Sequence, residues 1–317
     1  MLPSPQRIDC IFLGGSSVDT ILEVPRMPVT DEKMLARFAG IQGGGLVANA
    51  ACAAARLGLS TAWAGVLGDD AGGALALNDL RGYGIDTTWV EVLPDTVSDF
   101  CIILLDPSRE RTILVVTTTA NLPRFDPALL QALGAARMVY LIPHRQEIFA
   151  VVANAARAGG SRIAIDLEAA NALSDTDVRF ALENSAVVFC NAAALAKFTG
   201  QEEIAAGARQ VLALGPEVVV VTMGARGAAA FTADEDAFSP SFPVEVVDTT
   251  GAGDCFHGAF LTAWLSGWDL NKSLIFANAA AALSVQKIGA RGSLPTCAEV
   301  QAFLAAQPGA AFDSDLN

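Results

Sequence analysis

Residues 217–227 read EVVVVTMGARG, and this stretch decides the fold. Four consecutive valines with no polar alternation describe a strand whose two faces are both buried, as in a parallel sheet covered by helices. The glycines at 224 and 227 then break the run into a tight loop. Short apolar runs of the same kind recur on either side. Residues 8–13, ending in Gly14-Gly15, and residues 61–67, 138–142, 162–166 and 186–190 all read as strands. Between them lie Ala-rich helical segments at 46–57 (with Gly58 as a stop signal), 73–81, 147–158, 177–184, 192–198, 202–213, 253–266 and 270–287. Strands alternating with helices predict an α/β fold: three layers around a mainly parallel central sheet.

Two segments break the rhythm. Residues 20–38 carry charges, two prolines and no helical period. Residues 99–117 contain two strand-like runs, DFCIILLD and RTILVVT, around Pro107-Ser108-Arg109-Glu110, which reads as a hairpin. Insertions at about 19–40 and 97–118 are therefore expected to form a small β-sheet lid on a single unit spanning 1–317. The alternative is a pair of ordinary surface hairpins. No internal repeat or low-complexity linker marks a domain boundary.

The chain has 317 residues, 52% of them apolar, and a mean hydropathy of +0.43. That raises the question of a membrane span, which needs about 20 apolar residues in a row. Residues 43–59 contain Asn49 and Arg56, and 277–285 is too short, so none is expected. Residues 1–9 lack the order of a signal peptide, and a cytoplasmic location is expected. Lys+Arg number 20 against Asp+Glu 34, a net charge of -14, which argues against nucleic acid or an anionic membrane surface as partner. Six dispersed cysteines lack a CxxC pair and most read as buried thiols, and two histidines leave no His-rich metal site.

The chemistry concentrates in residues 246–258, VVDTTGAGDCFHG. A short β-rich run leads into a Gly-rich turn and then a helix. Small residues let backbone N–H groups converge, and a helix N-terminus adds partial positive charge, which together make an anion hole. Asp254, at the helix start, reads either as a general base beside bound phosphate or as a favourable charge at the helix end.

This segment resembles the signature of the PfkB (ribokinase-like) carbohydrate kinases. The resemblance implies Asp254 as catalytic base and Gly251, Ala252 and Gly253 as the anion hole for the transferred phosphate. A second match lies at Gly43-Gly44-Gly45-Leu46-Val47-Ala48-Asn49-Ala50, similar to the GG-x-x-x-N-x-A segment of the family. It implies that Gly43, Gly44 and Asn49 hold the sugar, joined by Asp19. Thr222, Gly224 and Gly227 resemble the nucleotide loop of the family, Asn191 a second cofactor-site position, and Asn278 its adenine pocket. The loop 289–295, with Asp248, Thr250 and Ser293, resembles a site for a monovalent cation, K⁺. The implied co-reactant is ATP with Mg²⁺. One departure concerns magnesium: the family pattern N-x-x-E is here Asn191-Ala192-Ala193-Ala194, and alanine cannot position a hydrated cation, so its protein ligands stay open: either Glu168 or Asp166 takes over, or the ion arrives held mainly by ATP.

Residues 30–57 look closer to the sulfofructose-kinase branch. Lys33 and Arg37 on the lid, with His144 and Arg145 on the facing loop, would then hold a terminal anion, unless they form a solvated face. A ketohexose-like sugar, phosphorylated on a primary hydroxyl, is the first expectation. An anionic sugar derivative is the second, and a nucleoside kinase or non-catalytic sugar sensor are the remaining readings. Pairing through the exposed face of the lid predicts a homodimer.

Overall fold

A computed structural model describes residues 7–307 apart from 109–110, 120–121, 169 and 171–172. Two turn residues of the expected hairpin, Arg109 and Glu110, thus lie outside the described residues. In chain order the elements are β1 (Cys10–Leu13), β2 (Ser17–Glu23), β3 (Arg37–Gly44), α1 (Leu46–Arg56), β4 (Thr61–Gly68), α2 (Ala71–Gly82), β5 (Val90–Leu93), β6 (Phe100–Leu105) and β7 (Arg111–Val116). Then come α3 (Pro127–Ala135), β8 (Met138–Leu141), α4 (Gln146–Gly159), β9 (Arg162–Asp166), α5 (Asp175–Glu183), β10 (Val187–Asn191), α6 (Ala192–Thr199) and α7 (Ile204–Leu212). The last part holds β11 (Val218–Thr222), β12 (Ala228–Phe231), β13 (Asp236–Ser239), α8 (Ala252–Leu265), α9 (Leu270–Ser284) and α10 (Cys297–Ala305).

Nine strands form one sheet in the order β13-β12-β11-β10-β9-β8-β1-β4-β5. From β11 through to β5 every pairing is parallel, and β12 and β13 extend the edge in antiparallel fashion. The valines of β11 explain why the sheet is covered on both sides. Val218 and Val220 enter one core with α1, α8 and α9, while Val219 and Val221 enter the other with α4, α5 and α7. All four are buried, as a strand without polar alternation requires.

Strand order reverses between β1 and β8: the chain first builds outward through β4 to β5, then returns to add β8 to β11 on the other side. A crevice opens at the carboxyl ends of strands at such a switch point, and α/β proteins bind ligands there. The breaks in rhythm form a second sheet, order β3-β2-β6-β7, with β2 and β6 parallel and the outer pairs antiparallel. Its own core is small, consisting of Ile21, Cys101 and Ile103.

Several boundaries differ from the sequence reading. Residues 246–247 are not a strand; the Val247 and Asp248 amides bond Val285 O just beyond α9 at 2.8 and 3.1 Å. Helix α9 ends at Ser284, short of the expected 287. Five cysteines are buried and none is disulfide-bonded; burial pushes the Cys52 and Cys255 thiols up to about 12. Among the described residues no helix is long and apolar enough to cross a membrane.

Candidate active site

Helix α8 begins at the rim of the crevice. Gly251 is its N-cap residue at φ 75°, and an added Cβ would lie 2.7 Å from Ala290 Cβ, so the turn favours glycine doubly. Helices α2, α3, α5, α6, α7, α9 and α10 each carry a side-chain cap, whereas α1, α4 and α8 have none. The first amides of a helix have no intrahelical partner. Here Ala252 N–H turns back to Thr249 O at 3.3 Å, and Gly253 is exposed at the mouth.

Asp254, one residue on, is buried. Its Oδ2 accepts a 2.8 Å hydrogen bond from Asn49 Nδ2. Loss of water pushes its pKa up to about 7, with the charges of Asp166 and Glu168 adding to the rise, while Asn49 and Arg291 oppose it. A carboxylate poised near neutrality is suited to accept a proton at working pH. Asn49 reaches it because α1 and α8 pack closely: a Cβ on Gly258 would stand 2.6 Å from Ala50 O. Asn49 Oδ1 is also engaged, accepting from Arg291 Nε at 2.9 Å. The amide expected to face sugar hydroxyls is therefore anchored at both ends, with one N–H and one lone pair beyond these bonds.

Asp19, on β2, is buried and accepts from Ser17 Oγ at 3.0 Å; burial raises its pKa. Its carboxylate fills the space where Gly44 would carry a Cβ, and Arg291 with Asp79 fills the space beside Gly43. The glycine pair makes room for charged side chains. Gln42, directly opposite Asp19 in the β2–β3 register, has a buried Nε2 with no hydrogen-bond partner among the described residues.

The other nominated residues are distributed as follows. Thr222 ends β11, and the loop after it closes on itself through Met223 N–H to Gly227 O at 2.8 Å and Gly227 N–H to Gly224 O at 3.0 Å. Asn191 ends β10, its Oδ1 capping α6 by accepting from Ala194 N–H at 2.7 Å. Ala194 packs against the core on that side of the sheet. Asn278 donates through Nδ2 to Ser239 O at 2.9 Å and Pro240 O at 3.3 Å, so contact with a base would fall to its oxygen. Lys33 is exposed between β2 and β3, and Arg37 is ion-paired with Glu23 on the lid. Arg145 is exposed before α4, and its backbone N–H donates to His144 Nδ1 at 3.1 Å. Neither Arg37 nor Arg145 is thus gathered with Asp254 by a hydrogen bond.

Asp248 joins two loops. Its Oδ1 accepts from Thr250 N–H at 2.9 Å and Thr250 Oγ1 at 2.7 Å, and its Oδ2 accepts from Gly289 N–H at 2.8 Å. Ser293 donates to Ser284 O at 2.7 Å. Oxygens suited to a hard monovalent cation are present here, but the Asp248 carboxylate is already engaged by two N–H groups, a hydroxyl and, at 3.9 Å, the Arg111 guanidinium. For magnesium, no group of three or more His, Cys, Asp or Glu side chains gathers among the described residues. Yet Asp166, pushed up to about 6 by burial, and Glu168 both burden Asp254 with negative charge, an excess that suits a divalent cation.

Sequence reasoning missed Arg291, Asp79 and Gln42. It also missed Arg111, on β7, whose Nη1 donates to Thr249 Oγ1 at 2.8 Å and so ties the second sheet to the loop before α8.

A switch-point crevice, a helix start without a side-chain cap and a buried carboxylate suit an α/β enzyme that transfers a phosphoryl group to an alcohol. Residues 8–297 match the model of the pfkB family carbohydrate kinases, and the chain belongs to that family. It is 31% identical over 294 residues to the ATP-dependent ribose-1-phosphate kinase of Halopiger xanaduensis, covering 92% of this chain and 96% of that one. It is likewise 31% identical to the ribokinase of Bacillus subtilis, covering 92% and 98%. Among solved structures, Arabidopsis thaliana ribokinase complexed with ribose and ATP superposes with a TM-score of 0.84 at 28% identity, covering 94% of this chain and 99% of that one.

Proposed function

We propose that the chain phosphorylates the exocyclic primary hydroxyl of a neutral sugar in five-membered-ring form, a pentose or ketohexose, using ATP. The observation that carries this reading is the buried Asp254 carboxylate, held by Asn49 at 2.8 Å beside the uncapped start of α8. ATP lies along the loop of Thr222, Gly224 and Gly227, near Asn191 and Asn278, and its terminal phosphate meets the amides around Gly251, Ala252 and Gly253. The sugar is held by Asp19, Gly43, Gly44 and Asn49. Asp254 takes the hydroxyl proton as the oxygen attacks in line, and the anion-hole amides stabilise charge on the transferred group. Magnesium, when bound, neutralises phosphate charge; Glu168 with Asp166 would hold it. A potassium ion would lie between Asp248, Thr250 and the loop of Ser293.

A neutral sugar is favoured over a sulfonated or phosphorylated one by the disposition of the cations. Arg37 is paired with Glu23, Lys33 and Arg145 are exposed, and Arg291 is bonded to Asn49, Gly44 and Asp79. Ribose and ketohexose furanoses present the same CH₂OH group, so the ketohexose expected from sequence and the pentoses named for relatives share one pose. The second sheet acts as a lid on a single catalytic unit, excluding water that would compete for the phosphoryl group. Its exposed outer face pairs two copies as a homodimer.

An ADP-release assay across ribose, deoxyribose, fructose, ribose 1-phosphate, sulfofructose and nucleosides tests the reading. Neutral furanoses are expected to give the highest kcat/KM. Turnover confined to an anionic sugar or a nucleoside would overturn the substrate assignment, and binding without turnover would overturn the activity. Asp254→Asn is expected to lower kcat by about 10²–10⁴ with ATP binding retained.

A further inference from the structure

We propose that Arg291 is the positioning residue of this centre, fixing the amide of Asn49 in one orientation and through it the carboxylate of Asp254. The proposal rests on the base role given to Asp254 above. Asn49 sits between a group that can only donate and one that accepts. Arg291 Nε donates to its Oδ1 at 2.9 Å, which turns Nδ2 toward Asp254 Oδ2 at 2.8 Å. A flipped amide would set two donors face to face on one side and two acceptors on the other, so the arginine decides the orientation.

The arginine is itself held at several points. Its Nη2 donates to Gly44 O at 2.8 Å and its Nη1 is ion-paired with Asp79. Its own carbonyl accepts from Tyr83 Oη at 3.4 Å. The side chain is 4% exposed. A planar fork meeting three acceptors in different directions is specific to arginine; a lysine ammonium cannot span them. Two residues earlier, Gly289 N–H is held by Asp248. One loop therefore links the sugar-side glycines, the base and the segment leading into α8.

The charges and titratable groups around Asp254 show what the arginine offsets. Asp166 on β9 and Glu168 just after it add negative charge, Tyr140 on β8 and Cys255 on α8 are held neutral by burial, and Arg291 supplies the opposing cation. Without Arg291 the carboxylate faces two acids and an amide free to turn.

The test compares Arg291→Gln, Arg291→Lys and Asp79→Asn with Arg137→Gln, which breaks a pair with Asp9 away from the crevice. Readouts are kcat, both KM values, the pH profile, and the titration of Asp254 in substrate-free protein by ¹³C NMR of labelled aspartate, assigned with Asp254→Asn. Arg291→Gln is expected to lower kcat about 10²-fold with KM for ATP nearly unchanged. It is also expected to move the Asp254 midpoint and the acid limb of the profile upward by about half a unit or more. Arg291→Lys does not restore the wild-type values, Asp79→Asn shifts both readouts the same way by less, and Arg137→Gln shifts neither. A folded Arg291→Gln protein with wild-type kcat and midpoint overturns the proposal, as does a lowered melting temperature with an unmoved midpoint. Should Arg291→Gln fail to fold, Asp79→Asn decides: an unmoved midpoint and kcat there overturn it. If the wild type phosphorylates no sugar, the proposed function fails, while the titration still decides the role of Arg291.

Discussion

The carboxylate of Asp254 is held where its ionised form is costly. Its folded pKa of about 7 lies above the usual carboxylate value, so the folded protein binds more protons than the unfolded chain between about pH 4 and 7. The contribution to stability is thus fully present below that window and is lost as pH rises through 7. His257, pushed down to about 4 by burial, works in the opposite sense: its contribution is present above about pH 6.5 and lost as pH falls toward 4. Comparing Asp254→Asn with wild type cancels the histidine. The variant is expected to melt higher than wild type by about 2–6 °C at pH 8, with the gap closing near pH 4. Calorimetry at the two pH values checks this, and a gap that does not vary with pH would sink it. The turn and helix start around Asp254 were legible in the sequence because their residues are local: DTTGAGD sets both within a few positions. Arg291 was not. An arginine in a Gly-rich loop reads as exposed, and its burial depends on acceptors at positions 44, 49 and 79, over 200 residues away.

Among elements, the start of α8 separates what glycine does for the fold from what it does for the ligand. Gly251 has a left-handed φ and touches Ala290, so Gly251→Ala is expected to cost about 1–2 kcal/mol from backbone strain alone, plus the contact. A melting temperature lower by several degrees would show it. Gly253 is exposed, and an added Cβ meets nothing within 4 Å. Gly253→Val should therefore melt near wild type yet lose about 10² in kcat, because in the proposed site the new side chain stands where phosphate approaches. A Gly253→Val enzyme with unchanged turnover would remove that residue from the anion hole. The strands of the parallel sheet were readable because β-branched runs need burial on both faces. β12, whose sequence is AAAF, was not: alanine has no preference for strands, and the element exists because it pairs antiparallel with β11 on one side and β13 on the other. The reverse holds at 246–247, where β-rich residues bond the chain just beyond α9 instead of a strand.

For the whole molecule, the four-stranded sheet has a shape that calls for a partner. Its buried core is three side chains, too little to stabilise a sheet alone. Yet Phe38 is 62% and Ile41 52% exposed on β3, Leu114 is 50% exposed on β7, and the register sets all three on the face opposite that core. Apolar side chains clustered on an outer sheet face mark an interaction surface. Arg111 seats β7 on the loop before α8 through Thr249, so the position of this sheet bears on the start of α8. Two copies meeting through it would bury the apolar face while each brings a net charge of -14. Like charge opposes that association, and salt screens it. Sedimentation equilibrium is therefore expected to give twice 32.8 kDa, with the dimer tightening as salt rises from about 20 to 300 mM. A Phe38→Ser/Leu114→Ser double variant should sediment as a monomer, remain folded, and lose turnover more than ATP affinity, since the sheet proposed to shield the sugar is no longer braced. A wild-type monomer at micromolar concentration would remove the paired lid, and a monomeric double variant with full turnover would show that the sheet works without a partner.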